Sequence, residues 1–166
     1  VALKAVNTEA TLAVVWPEDP SVEYKDGKTI DDYRKLLESG GNWRECLDVV
    51  DGEPTEFIVG VIPSTKMCSI DNKYMYGIGQ VGAFWEKFLY GLRDIHNPGE
   101  LTVTTTDPVT GNKVGPRVPT RDFHGVSFVD PEWLEKVMAR KLRLCALFVG
   151  SIVGPWNSLG EDDAKK

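Results

Sequence analysis

Gly77-Ile78-Gly79-Gln80-Val81-Gly82 matches G-x-G-x-x-G, the glycine spacing that lets a backbone turn approach a pyrophosphate at a helix N-terminus. That chemistry needs an apolar strand directly before the first glycine. The preceding Asp71-Asn72-Lys73-Tyr74-Met75-Tyr76 is polar and loop-like, so the glycines read as a loose helix start or as room for close packing. The two histidines, His96 and His124, each follow an aspartate by two residues, Asp94 and Asp122. A carboxylate can orient an imidazole for general-base work, but a hydrolytic triad also needs a nucleophile on a sharp elbow, and no G-x-S-x-G occurs. Ser127, near His124, reads as an ordinary strand residue. Asp31/Asp32 and Asp162/Asp163 fall at a helix start and in the C-terminal tail, places that account for them without acid–base catalysis. Cys46, Cys68 and Cys145 are odd in number and widely spaced, which predicts reduced, mostly buried thiols rather than a zinc site or disulfide framework. No catalytic residue, metal or cofactor is expected.

Residues suited to binding another chain are easier to find. Lys136, Arg140, Lys141 and Arg143 form a basic cluster beside Glu132 and Glu135. It is either a solvated helix face, with Glu132 and Lys136 as an i,i+4 pair, or a contact for an acidic neighbour such as a copy of residues 18–56. Phe148, Ile152, Val153 and Trp156 follow an already adequate apolar stripe. That helix end is either enclosed in its own subunit or meets another chain. The interface candidates are Trp43, Pro108, Val109, Lys136, Arg140, Phe148, Ile152 and Trp156.

The elements that must carry these residues follow from pattern. Thr11–Trp16 reads as a strand ended by Pro17. Thr29 is placed to cap a helix in which Ile30, Tyr33, Leu36 and Leu37 share a face, with Gly40-Gly41 as its stop. Thr55–Ile62 is apolar on both faces from Phe57 onward, which predicts a central strand, and Ser64 then caps a short helix. Ile78, Val81, Trp85, Phe88, Leu89 and Leu92 predict a long helix that ends before His96. Leu101–Thr106 and the turn residues after it predict a projecting hairpin over 102–119, its second limb loosened by Pro116 and Pro119. A short strand over Gly125–Val129 leads to Asp130-Pro131, a cap and first-turn proline opening a helix expected to run through Cys145 to Val153 and to end at Gly154-Pro155. The expected fold class is α+β: a small mixed or antiparallel sheet packed by two long helices. Residues 1–166 form one domain, with an arm over 1–11 and a mobile tail over 157–166.

Composition bounds the function. A 166-residue chain, 42% hydrophobic and 27% charged, can bury its own core without disulfides or metals. The net charge of −6 argues against nucleic acid or an anionic membrane as the main ligand. Residues 1–60 hold 6 basic and 13 acidic side chains, against 13 and 12 in residues 61–166, so the front third is the acidic part. Such a division either solvates exposed loops or suits head-to-tail packing of identical subunits. The longest apolar run, Leu144–Val153, is about half the length of a membrane span. No basic leader precedes an apolar stretch, and Val1 fits a chain that has lost its initiator Met.

Several short segments also carry a resemblance. Ala2-Leu3-Lys4-Ala5-Val6-Asn7, Pro54–Gly60 followed by Ser64-Thr65-Lys66-Met67, Tyr90-Gly91-Leu92-Arg93, Val129-Asp130-Pro131 and the acidic-then-lysine end at 161–166 occur in an order that resembles small proteins from the head and tail structural genes of tailed bacteriophages. The chain departs from that pattern in the Asp19–Val50 insertion and the Thr102–Pro119 hairpin. The resemblance implies a non-enzymatic, self-associating virion subunit of capsid, neck or tail, made in the host cytoplasm, whose partners are other phage structural proteins. The alternatives are an assembly chaperone missing from the finished particle and, more remotely, a small enzyme of unknown class.

Overall fold

The computed structural model describes residues 9–75, 79–123, 125–139 and 142–165, and gives only the backbone for 159–165. In chain order the strands are β1 (Thr11–Val15), β2 (Val22–Tyr24), β3 (Leu47–Val49), β4 (Glu56–Gly60), β5 (Leu92–His96), β6 (Val103–Thr106), β7 (Lys113–Arg117), β8 (Thr120–Phe123) and β9 (Val126–Val129). The helices are α1 (Ile30–Glu38), α2 (Ser64–Lys73), α3 (Gln80–Gly91), α4 (Pro131–Met138) and α5 (Arg143–Lys165), with a 3-10 turn at Trp43–Glu45. The class is α+β, as expected, and the strand pairing is antiparallel throughout. Most of the arm expected over 1–11 lies outside the described residues.

The main sheet has the order β1-β4-β5. β4 is central, which is why Phe57 and Val59 are buried and why its apolar run shows no clean alternation. β5 replaces the end of the expected long helix: α3 stops at Gly91, and Leu92 begins a strand. A bulge explains the misreading. Ile58 opposes Asp94 and Val59 opposes Leu92, so Arg93 is an extra residue and both Leu92 and Ile95 point inward. Three-residue apolar spacing is a helical signal, and the bulge reproduces it in a strand.

Helices α3 and α5 pack against each other, and their backbones come close at Gly150, where a Cβ would run into the Phe84 carbonyl. Residue 91 is glycine at the same seam, beside Val153 and Ile62. α1 opens with a reciprocal cap: Thr29 Oγ1 accepts from the Asp32 amide at 3.4 Å, and the Thr29 amide donates to Asp32 Oδ2 at 2.9 Å. α2 begins one residue earlier than Ser64 capping would allow. Pro63 holds the cap position and Ser64 is already helical.

Two helix expectations are corrected. The helix expected from Asp130 to Val153 is two, α4 and α5, although nothing in the composition of residues 139–142 is a helix breaker. The split follows the packing, since α4 lies against α3 while α5 runs along α3, α1 and β4. Asp130 and Pro131 do open α4, Asp130 Oδ1 accepting from the Glu132 amide at 3.1 Å. Pro155 does not end α5, which continues to Lys165. Around it Asn157 Nδ2 donates to the Val153 carbonyl at 2.8 Å and Ser158 Oγ to the Gly154 carbonyl at 3.3 Å, tying side chains back to the backbone of that turn.

Candidate functional site

Four of the expected interface residues belong to the chain's own core. Trp43 is 1% exposed, Phe148 6%, Ile152 0% and Trp156 8%. Of the two alternatives for the apolar end of α5, the structure selects enclosure. α1 covers it from one side: the Tyr33 ring stacks on Phe148 with centroids 5.9 Å apart, and the Arg34 guanidinium lies 4.9 Å above the same ring. Arg34 Nη1 then donates to Ser151 Oγ at 2.6 Å, so the cation that screens Phe148 from water is itself anchored on α5. Trp43 places its one polar atom by donating from Nε1 to Glu56 Oε2 at 3.3 Å, while Arg44 stacks on its ring at 4.3 Å.

The basic cluster is spread differently from its helical reading. Lys136 is exposed on α4, and Arg140 and Lys141 lie outside the described residues. Glu132 pairs across to Arg121 of β8 at 3.5 Å rather than along its own helix to Lys136. The aspartate beside His96 is in place, Asp94 Oδ2 being 3.3 Å from Nε2, but both side chains are more than half exposed on the end of β5. His124 lies outside the described residues. The glycine pattern is partly described: the space that Cβ atoms on Gly79 and Gly82 would fill is taken by Tyr74, which fits close packing, one of the two roles expected for them. Gly77 lies outside the described residues. Among the described residues, no three His, Cys, Asp or Glu side chains gather where they could hold a metal, and no helix is long and apolar enough to cross a membrane. All three cysteines are free, Cys46 and Cys145 buried and Cys68 exposed.

A cleft of about 820 Å³ opens between the end of β4, α2 and the second half of α5, with Ile62, Met67, Phe128 and Asn157 in its wall. Arg93 crosses it. Its guanidinium stacks 4.6 Å above Phe128, and Nη2 reaches the Val61 carbonyl at 3.5 Å. Burial lowers the Arg93 pKa from its ordinary value, and Asn157 is occupied, Oδ1 accepting from the Ile62 amide at 3.0 Å. These groups fasten β5, β9 and α5 together.

Among the described residues the hairpin is one of the surfaces left exposed. β6 and β7 pair with each other in a sheet of their own, and every residue from Thr104 to Arg117 except Asp107 is exposed. Pro108 and Val109 form its tip, Val109 being 90% exposed. The tip is ordered by local bonds: Asp107 Oδ1 accepts from the Val109 amide at 2.8 Å, and the Asp107 carbonyl accepts from Gly111 at 2.8 Å. That amide bond also holds the Asp107 carboxyl below the usual carboxylate range. The sequence reading missed two other surface features, the β2-β3 ribbon and β8. β8 is exposed along its length and so lacks alternation. In the ribbon the three-residue strands are too short for a periodic signal, and Val49 and Val50, 47% and 52% exposed, extend an acidic run.

Compared with protein-family models, curated proteins and solved structures, the chain matches none of them significantly.

Proposed function

We propose that this chain is a non-enzymatic structural subunit of a tailed-phage particle, in the capsid, neck or tail, and that its hairpin is the part that grips a neighbouring subunit. The observation that carries the reading is the mostly exposed ribbon from Thr104 to Arg117, whose tip is locally braced and carries the exposed Pro108 and Val109. An isolated two-stranded hairpin contributes little to the stability of its own domain. Its unpaired edges and tip are suited to main-chain and apolar contact with another protein. The phage assignment itself rests on the resemblance of the short sequence segments, with which a self-contained core and a projecting binding element are compatible.

Mass spectrometry of purified particles, combined with cross-linking, tests it. The expected result is the chain present in many copies, with cross-links from residues near the hairpin to a neighbouring subunit. A chain that binds particle proteins during assembly but is missing from finished particles is instead an assembly chaperone. A chain that stays monomeric and unbound when mixed with the particle proteins has neither role.

A further inference from the structure

The hairpin and the β3 edge are complementary in chemistry. Residues 102–119 contain one carboxylate, Asp107, and its Oδ1 is bonded to the backbone of the hairpin's own tip. The ribbon therefore presents Lys113 and Arg117 beside the exposed Val109 and Val114. On the far side of the sequence, six consecutive exposed residues, Asp48-Val49-Val50-Asp51-Gly52-Glu53, present three carboxylates and two valines. Of these carboxylates Asp48 is shared with Lys25 at 3.8 Å across the ribbon. Among the described residues β3 pairs with β2 alone and β6 with β7 alone, so each surface also has a strand edge with no described strand beside it.

We infer that the hairpin's partner is a second copy of this chain, which it meets head to tail, setting Lys113, Arg117 and the valines of one copy against Asp51, Glu53, Val49 and Val50 of the next. The inference rests on the structural-subunit reading and adds the identity of the neighbour. Each surface combines small exposed apolar side chains with charges of one sign, and the opposite signs of the two surfaces steer association and fix its orientation. The β6 edge is the better one for main-chain pairing, because its four residues all carry an N–H while Pro116 removes one from β7.

The test uses the full chain in sedimentation velocity, with circular dichroism as the check on folding, and three variants: Lys113→Glu/Arg117→Glu, Asp51→Lys/Glu53→Lys, and all four changes together. The wild type is expected to self-associate, and more weakly at about 500 mM than at about 50 mM salt. Each double reversal weakens association by about tenfold or more, and the quadruple variant regains it, because the signs are then reversed on both sides. All four side chains are exposed, so folding is expected to stay intact. Self-association indifferent to both reversals, or a chain monomeric at high concentration, overturns the inference. If that monomer still captures another particle protein through its hairpin, the structural-subunit reading survives; if it captures none, both fall.

Discussion

Tyr33 closes the open side of β1 with a single hydroxyl. Its oxygen donates to the Val15 carbonyl at 2.6 Å and accepts from the Val15 amide at 3.1 Å, both inside the core. Tyr33→Phe leaves the two backbone groups without that partner, at an expected cost of about 1–3 kcal/mol in urea unfolding. Gly150→Ala is expected to cost about as much, roughly 1–3 kcal/mol, because the new methyl meets the Phe84 backbone and not a side chain that can swing away. Burial also gives the core a pH dependence. It raises the Tyr33 phenol above its ordinary pKa and pushes the Cys145 thiol from 9.0 up to about 12. Above their ordinary values the unfolded chain releases these protons while the folded chain keeps them, so stability is full below about pH 9 and declines as pH rises toward about 12. Cys145→Ala is expected to flatten part of that decline in unfolding midpoints taken at successive pH values; an unchanged slope assigns it elsewhere. None of these contacts was legible in the sequence. Trp43 and Phe148 look like surface candidates until Glu56 and Arg34, 13 and 114 residues away, are seen to cover them. Residue types show an apolar excess, but not what encloses it.

At the scale of elements, local signals succeeded where one residue type and one geometry go together. Thr29 with Asp32, Asp130 with Pro131, and the doubly apolar β4 all formed as their chemistry dictates. Failures came where tertiary packing altered the period. The Arg93 bulge gave β5 a helical spacing, and the turn containing Pro155 stays helical against its neighbours. The hairpin is the useful exception, since its turn residues and threonines marked it as a hairpin and it forms one, in a two-stranded sheet of mostly exposed residues. Its independence makes a prediction at this scale. Replacing residues 103–117 by a short Gly/Ser linker removes no fully buried side chain, so the unfolding free energy by calorimetry is expected to change by no more than about 1 kcal/mol. The same protein is expected to lose its place in assembled particles. A collapse of thermal stability would instead make the hairpin part of the fold, and retained assembly would move the contact to another surface.

For the molecule as a whole, the charge division acquires a direction. The acidic front third includes the Asp48–Glu53 edge, while the basic hairpin lies in the nearly neutral remainder, so the proposed contact joins unlike ends of successive copies. An interface between two different patches is used up by a pair only where a two-fold axis lets each hairpin reach the other copy's edge. Without that axis a dimer still has one free hairpin and one free β3 edge, and adds a third copy with the same contact. Growth stops only if the rotation per copy returns the chain on itself as a ring; otherwise it continues as a filament. The species distribution is therefore diagnostic in a way that affinity is not. Native mass spectrometry over a range of protein concentrations is expected to show either a ladder of rising copy number or one closed ring larger than a dimer. A dimer that saturates with no larger species has a two-fold axis, and it keeps the proposed contact only where each hairpin lies on the other copy's β3 edge, because a basic hairpin facing its own twin would place like charges together. Cross-links from hairpin to hairpin in such a dimer would rule out the contact even if the hairpin proves necessary for pairing.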